Sequence, residues 1–501
     1  MKVFRTLGIA ALALLVFSGI AISQDAFSPG QWTAVVAPPQ SGIGHIQLLT
    51  DGSVLAINSG CGVTGNWYRL IPDKTGSYVN GKWVSAGNLP TGYNPLYFAS
   101  QVLPNGHVVV IGGEYNACNA VWTTLGANYN PYTNKWATLP APGGWGSVGD
   151  AQSVVLPRGA MMLANCCTKE QAILTFPGGV PTWTTTGAGK FDSNDEEGWT
   201  LLPGGKVLAV DAYVGSYNAS GMNSEIFTGS TGTWVSAGNT VKQLWDSAAA
   251  CGGSGAASFE VGPAVLRPNG TVFATGANAC GAGHTAIYNS KTATWAAGPD
   301  FTGTLDIADG PAALLPDGNV LVDASPGIFN TGSKFFEWDG TTLNATTAPP
   351  NASVDSSYYG NMLVLPTGQI MFTDFSSTVE IYTPSGTACA GCAPVVNSVA
   401  SLLTHGTFNN MIQGTQFNGM SLGASYGDDS QNATNFPLVR ITDSTGRVVY
   451  CRTHGWPGGV ATGAKLITAQ FDIPGSIALG PASLVVVANG IPSAAVSVTI
   501  N

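Results

Sequence analysis

Six places in the 501-residue chain repeat one relationship: a side chain able to bind a cation or a sugar hydroxyl stands seven or eight residues before the proline of a Pro-x-Gly turn. They are Tyr97, Asp150, Glu196, Glu260, Asp309 and the pair Tyr358-Tyr359; the first unit has Thr50-Asp51-Gly52 in place of the proline turn and puts His45 nearby. Carboxylates beside phenols and an imidazole offer lone pairs to a hard or borderline metal ion, and the same groups hydrogen-bond sugars. Acidic residues at strand starts also serve simply as solvated or turn-capping groups, so both readings stand at this point. Three of the other four histidines, His107, His284 and His405, have no partner at ligand spacing, and no HExxH, P-loop, GxGxxG or GxSxG occurs in a convincing context.

The elements that must position these residues come from self-similarity at a long period. Short apolar runs break at a glycine turn and resume at Gly52, Gly106, Gly159, Gly205, Gly270, Gly318 and Gly368, in steps of 54, 53, 46, 65, 48 and 50 residues. Most units continue into a second pair of strands ending in tryptophan: Trp83, Trp136, Trp183, Trp234 and Trp295, with Trp338 in the corresponding place of a sixth. Four strands in about 50 residues is the kelch-type blade, and seven turns predict a seven-bladed β-propeller over residues 30–388. A strand near Trp32 is expected to close the ring against strands near Ile381, which removes the sheet edges that aggregate. In such a disc the residues before each innermost strand share one channel mouth, the concave surface where a ligand is expected. Residues 394–501 alternate short strands with Gly/Pro turns and predict an immunoglobulin-like (early-set) β-sandwich without the Cys-Trp-Cys spacing of antibody domains.

Composition agrees with a turn-rich β protein: 66 Gly and 30 Pro, 44 % hydrophobic and only 9 % charged residues. A net charge of -10 repels a phosphate backbone, so nucleic acid is excluded as a partner. Lys2 and Arg5, an apolar run from Leu7 to Ile22 and Ala21-Ile22-Ser23 predict a signal peptide over 1–23, hence a secreted (extracellular or periplasmic) protein. The run is shorter than the roughly 20 residues that cross a bilayer, and no later segment predicts a membrane span. Nine cysteines suit an oxidising compartment. Cys389 and Cys392 are expected to close a small disulfide loop, Cys166 and Cys167 either a vicinal bridge or bonds elsewhere, and Cys61–Cys118 and Cys251–Cys280 are pairings suggested only by repeat position. The odd count leaves a thiol over, and a monomer is expected.

The arrangement of signal peptide, seven kelch-like blades and C-terminal immunoglobulin-like domain resembles the galactose oxidase and glyoxal oxidase family of secreted copper radical oxidases. YFASQVLPNGHVVVIGGEY matches the family's blade with a tyrosine before an inner strand, Tyr97, and an aromatic covering the site, Tyr115. YYGNMLVLPTG matches the Tyr-His blade with Tyr358, but Tyr359 replaces the histidine, and CRTHGW supplies Thr453-His454 where the family sends a Thr-His from the C-terminal domain. The resemblance therefore implies Tyr97 and Tyr358 as catalytic phenols and Tyr97, Tyr358, His454 and Tyr359 as a copper ligand set, with His45 as a further ligand. Tyr115, Asp150, Glu196, Glu260 and Asp309 would meet substrate. The first-blade stretch SGIGHIQLLTDG lacks the cysteine that the family cross-links to its radical tyrosine. Three functions follow: a carbohydrate-binding or surface-binding module with an altered or lost copper site, an atypical oxidase of small primary alcohols or aldehydes releasing hydrogen peroxide, or a structural envelope or matrix protein.

Overall fold

The computed structural model describes residues 27–40, 42–58, 65–213, 221–246, 258–278 and 281–501; the predicted export segment and Cys61, Cys251 and Cys280 lie outside them. Among the described residues, seven radial antiparallel sheets of four strands each are followed by two packed sheets of a C-terminal β-sandwich. The innermost strands are Ile43–Leu48, Ala99–Val102, Ser153–Val155, Trp199–Leu201, Val261–Leu266, Ala312–Leu314 and Asn361–Val364. They touch in cyclic order, and the circle closes between the last and the first. They are almost wholly buried on both faces, buried polar side chains such as His45, Gln47, Ser100, Gln101 and Asn361 included, so the pattern of a half-solvated strand is absent from them.

The seven glycines are one turn repeated. Each has φ between +74° and +92°, and its N–H donates to the carbonyl three residues earlier, from Gly52 to Leu49 (2.9 Å) through Gly368 to Leu365 (2.9 Å). A type I turn followed by a left-handed residue gives the tight hairpin that glycine alone forms without strain.

The recurrent tryptophans clasp neighbouring blades. The indole N–H of Trp83 donates to the Val36 carbonyl (2.9 Å), Trp136 to Ala86 (3.1 Å), Trp183 to Pro140 (2.8 Å), and Trp295 to Ser224 Oγ (2.9 Å), each reaching the preceding sheet. Trp338 differs from its expected place: it ends the third strand of its blade, not the fourth, and is buried on Phe273 (4.0 Å) under the Arg267 guanidinium (4.5 Å). Closure is as expected, with Gln31–Ala34 antiparallel to Glu380–Thr383 and Trp32 opposite Tyr382. Trp32 packs edge-on to Phe335 (5.2 Å) and Phe372 (5.7 Å).

The sandwich docks on the disc face that carries the glycine turns. Arg452 reaches Asp51 (3.1 Å), the Thr453 N–H donates to Thr50 (3.1 Å) and the Gly455 N–H to Pro104 (2.6 Å). From it a hairpin finger, residues 421–434, enters the channel. Ala424–Ser425 adds to the sixth blade opposite Ala312 and Ala313, the Ser430 N–H donates to Phe98 (3.3 Å), and Asn432 Nδ2 to Met362 (2.9 Å). The finger closes on itself through Thr434 N–H to Leu422 (2.7 Å).

Cys166–Cys167 and Cys389–Cys392 are disulfides, Cys118 is also disulfide-bonded, and Cys451 is a buried free thiol. No described helix is long and apolar enough to cross a membrane.

Candidate functional site at the channel mouth

Where the chain enters the second to the sixth innermost strands it bends through the left-handed region: Tyr97 (φ 51°), Glu196 (55°) and Asp309 (58°), with Gly149 (66°) before Asp150 and Phe259 (62°) before Glu260. For residues bearing a Cβ this conformation costs on the order of 1 kcal/mol or more, and such outliers concentrate at functional sites. The bend gathers these side chains on the rim opposite the glycine turns.

Two chemistries meet there. One is an aromatic arc. The Tyr97 ring lies 6.4 Å from Tyr115, 6.4 Å from Phe375 and 6.4 Å from Tyr426 of the finger, stacked on the last. Phe375 continues to Tyr359 (6.3 Å), Tyr359 to Tyr358 (4.2 Å) and Tyr358 to Phe329 (5.2 Å). The Tyr426 hydroxyl donates to the Tyr358 carbonyl (2.6 Å), tying the finger to the seventh blade's entry.

The other is an acidic nest. Oxygens of Asp150, Glu196 and Asp428 all lie within 4.8 Å of one another, and so do those of Glu196, Glu260 and Asp309. Burial raises Asp428 to about 7, and burial followed by repulsion from neighbouring carboxylates raises Asp150, Glu196, Glu260, Asp309 and Asp429 well above the ordinary range. Next to Glu196, Asp195 is raised by burial to about 6. Burial likewise lifts the Tyr97 phenol, and the negative charge of Asp429 adds to it. Among the described residues no Lys, Arg or His pairs with any member of the nest.

Of the residues singled out by sequence, Tyr97, Tyr115, Tyr358 and Tyr359 come together in the arc, and Asp150, Glu196, Glu260 and Asp309 in the nest. The two histidines do not join them. His454 was expected within reach of Tyr97 and Tyr358. It lies instead at the turn face, its Nε2 3.1 Å from Asp472 Oδ1, and its neighbour Gly455 is bonded to Pro104. Pro104 follows Tyr97 by seven residues, roughly 20 Å at a rise of about 3.3 Å per residue. The physical reason is that the segment entering the channel is 421–434, whereas 453–454 is an edge of the docked sandwich. His45 is buried inside the channel against Phe98 (5.1 Å), with Nε2 2.7 Å from Ser100 Oγ, and burial lowers it to about 3. The contributions the sequence did not reveal are Tyr426, Asp428 and Asp429.

No protein-family model matches the chain, and none of the curated proteins is similar to it. Among solved structures, one shares the fold over nearly the whole chain and others are more distantly similar. A fungal alcohol oxidase of the AA5 family, in complex with copper, is 13 % identical over 95 % of this chain and 100 % of its own, with a TM-score of 0.50. A streptogramin B lyase is 10 % identical over 71 % of this chain and 98 % of its own, with a TM-score of 0.47. The first likeness extends across propeller and sandwich together.

Proposed function

We propose that this is a secreted, galactose-oxidase-like propeller whose channel mouth binds carbohydrate, with the copper chemistry of the fold altered or lost. The observation that carries the reading is the arc of Tyr115, Tyr97, Tyr359 and Tyr358 beside carboxyls. Apolar sugar faces stack on aromatic rings, and sugar hydroxyls bond to carboxyl oxygens. The copper of the fold's oxidases does not fit these residues. The donors at the mouth are carboxylate and phenol oxygens, and His454 and His45 are elsewhere. Copper favours imidazole and thiolate over an all-oxygen set.

Binding to a panel of oligosaccharides, measured by calorimetry, tests the reading. Tyr115→Ala and Tyr358→Ala are expected to weaken the best ligand at least tenfold. Copper-loaded protein offered galactose, glycerol and glyoxal-type aldehydes should release no peroxide beyond a metal-free control. Robust, chelator-sensitive turnover would establish the oxidase instead, and a panel without any binder would leave the structural role.

A further inference from the structure

The chain answers buried acid in two ways. Inside the third and fourth blades Lys190 Nζ lies 2.6 Å from Glu225, 3.1 Å from Glu197 and 3.6 Å from Asp211, and also pairs with Asp192. That cluster brings its own cation. Among the described residues the nest at the mouth has none, although Asp428 is 1 %, Asp429 0 % and Asp150 8 % exposed. Asp428 Oδ2, Asp150 Oδ1 and both carboxyl oxygens of Asp429 have no hydrogen-bond partner among the described residues. Buried polar atoms without partners cost on the order of 1–3 kcal/mol each, and more when charged, unless something satisfies them.

Two oxygens bound to one calcium ion at about 2.4 Å each are at most about 4.8 Å apart. The oxygens of Asp150, Glu196 and Asp428 meet that condition. All three are hard donors, which favours Ca2+ over copper or zinc. Asp150 leads into the third blade, Glu196 into the fourth, and Asp428 sits at the tip of the finger.

We propose that a calcium-type hard divalent cation bound by Asp150, Glu196 and Asp428 fastens the C-terminal finger to the third and fourth blades. The cation completes its shell with water or a ligand oxygen at the open mouth. This site goes beyond carbohydrate binding and stands whether or not a sugar binds.

The test uses the full chain, stripped with a chelator and dialysed, with CaCl2 alone as titrant. Calorimetry is expected to show one ion bound with submillimolar affinity, and saturating Ca2+ should raise Tm by a few degrees over chelator. Asp428→Asn and Glu196→Gln should each weaken binding at least tenfold and lose the Tm response. Their Tm in chelator should equal or exceed that of the parent, because each relieves crowding among carboxylates; this separates loss of the ion from loss of the fold. Absence of Ca2+ binding by the parent chain at millimolar concentration, or undiminished binding in both variants, would overturn the proposal.

Discussion

Each acid of the channel mouth holds its proton more tightly in the folded protein than in the unfolded chain, mainly because burial disfavours the anion. The folded state therefore binds more protons, and stability declines as pH rises through the interval between the two pKa values. For Asp428 that interval runs from 3.8 to about 7, and for Asp195 from 3.8 to about 6. In chelator, Tm should fall steadily between pH 5 and pH 7, each retained proton contributing up to about 1.4 kcal/mol per pH unit. Melting curves across that range check this, and Asp428→Asn should flatten the slope. A flat profile for the parent would mean that these carboxyls are ionised at no cost. Four of the acids could be found from sequence because the Pro-x-Gly turn acts as a phase marker, and counting back from it lands on the rim each time. Asp428 and Asp429 carry no such marker. They stand in NGMSLGASYGDDSQNATNF, whose Gly, Ser and Asn read as an exposed loop, yet from 421 to 434 only Ser425 is not buried. Its available signal was length, since a stretch of some 20 polar residues without a strand pattern is unusual inside a compact domain.

Among the elements, the finger is tightly confined at its tip. A Cβ on Gly427 would overlap Asp309 Oδ1 and stand 2.8 Å from the Val261 carbonyl, and the Gly427 carbonyl presses on Gly198. Glycine is needed here for close approach, not for its backbone freedom. Gly427→Ala should destabilise the protein by at least about 1–3 kcal/mol, the usual result of overpacking, and should displace Tyr426 from Tyr97. Denaturant melts and quenching of tyrosine fluorescence by acrylamide measure the two effects; unchanged values in both would show that the finger tip moves aside freely. The blades themselves were legible because their tryptophans mark a repeated place, the indole that crosses to the previous sheet. Trp338 shows the limit of that marker. A tryptophan in the third strand looks the same in sequence as one in the fourth when the strands are only three to five residues long. His454 shows a different limit: Thr-His is a two-residue motif, too short to say which loop of a sandwich enters a channel.

For the molecule as a whole, closure rests on one four-residue strand, Gln31–Ala34, and the packing of Trp32 behind it. Removing residues 27–36 leaves Val379–Thr383 as an open edge with its polar backbone unpaired. Truncated protein should unfold over a broad range instead of in one transition and associate through that edge, as gel filtration and calorimetry would show. A monomeric, cooperatively melting truncation would mean that the finger and the docked sandwich alone hold the ring shut.

That closing strand also imposes a timetable. The Gly30 N–H is bonded to the Tyr382 hydroxyl, 352 positions later in the chain, so the first strand made is among the last to find its partner. At about 5–20 residues per second, synthesis separates the two by roughly 20–70 s. Throughout that wait the nascent blades form an open arc with a sticky end on each side. Two chains caught in that open state can exchange their first strands, so crowding before closure is expected to favour a strand-swapped dimer even though the finished disc is stable.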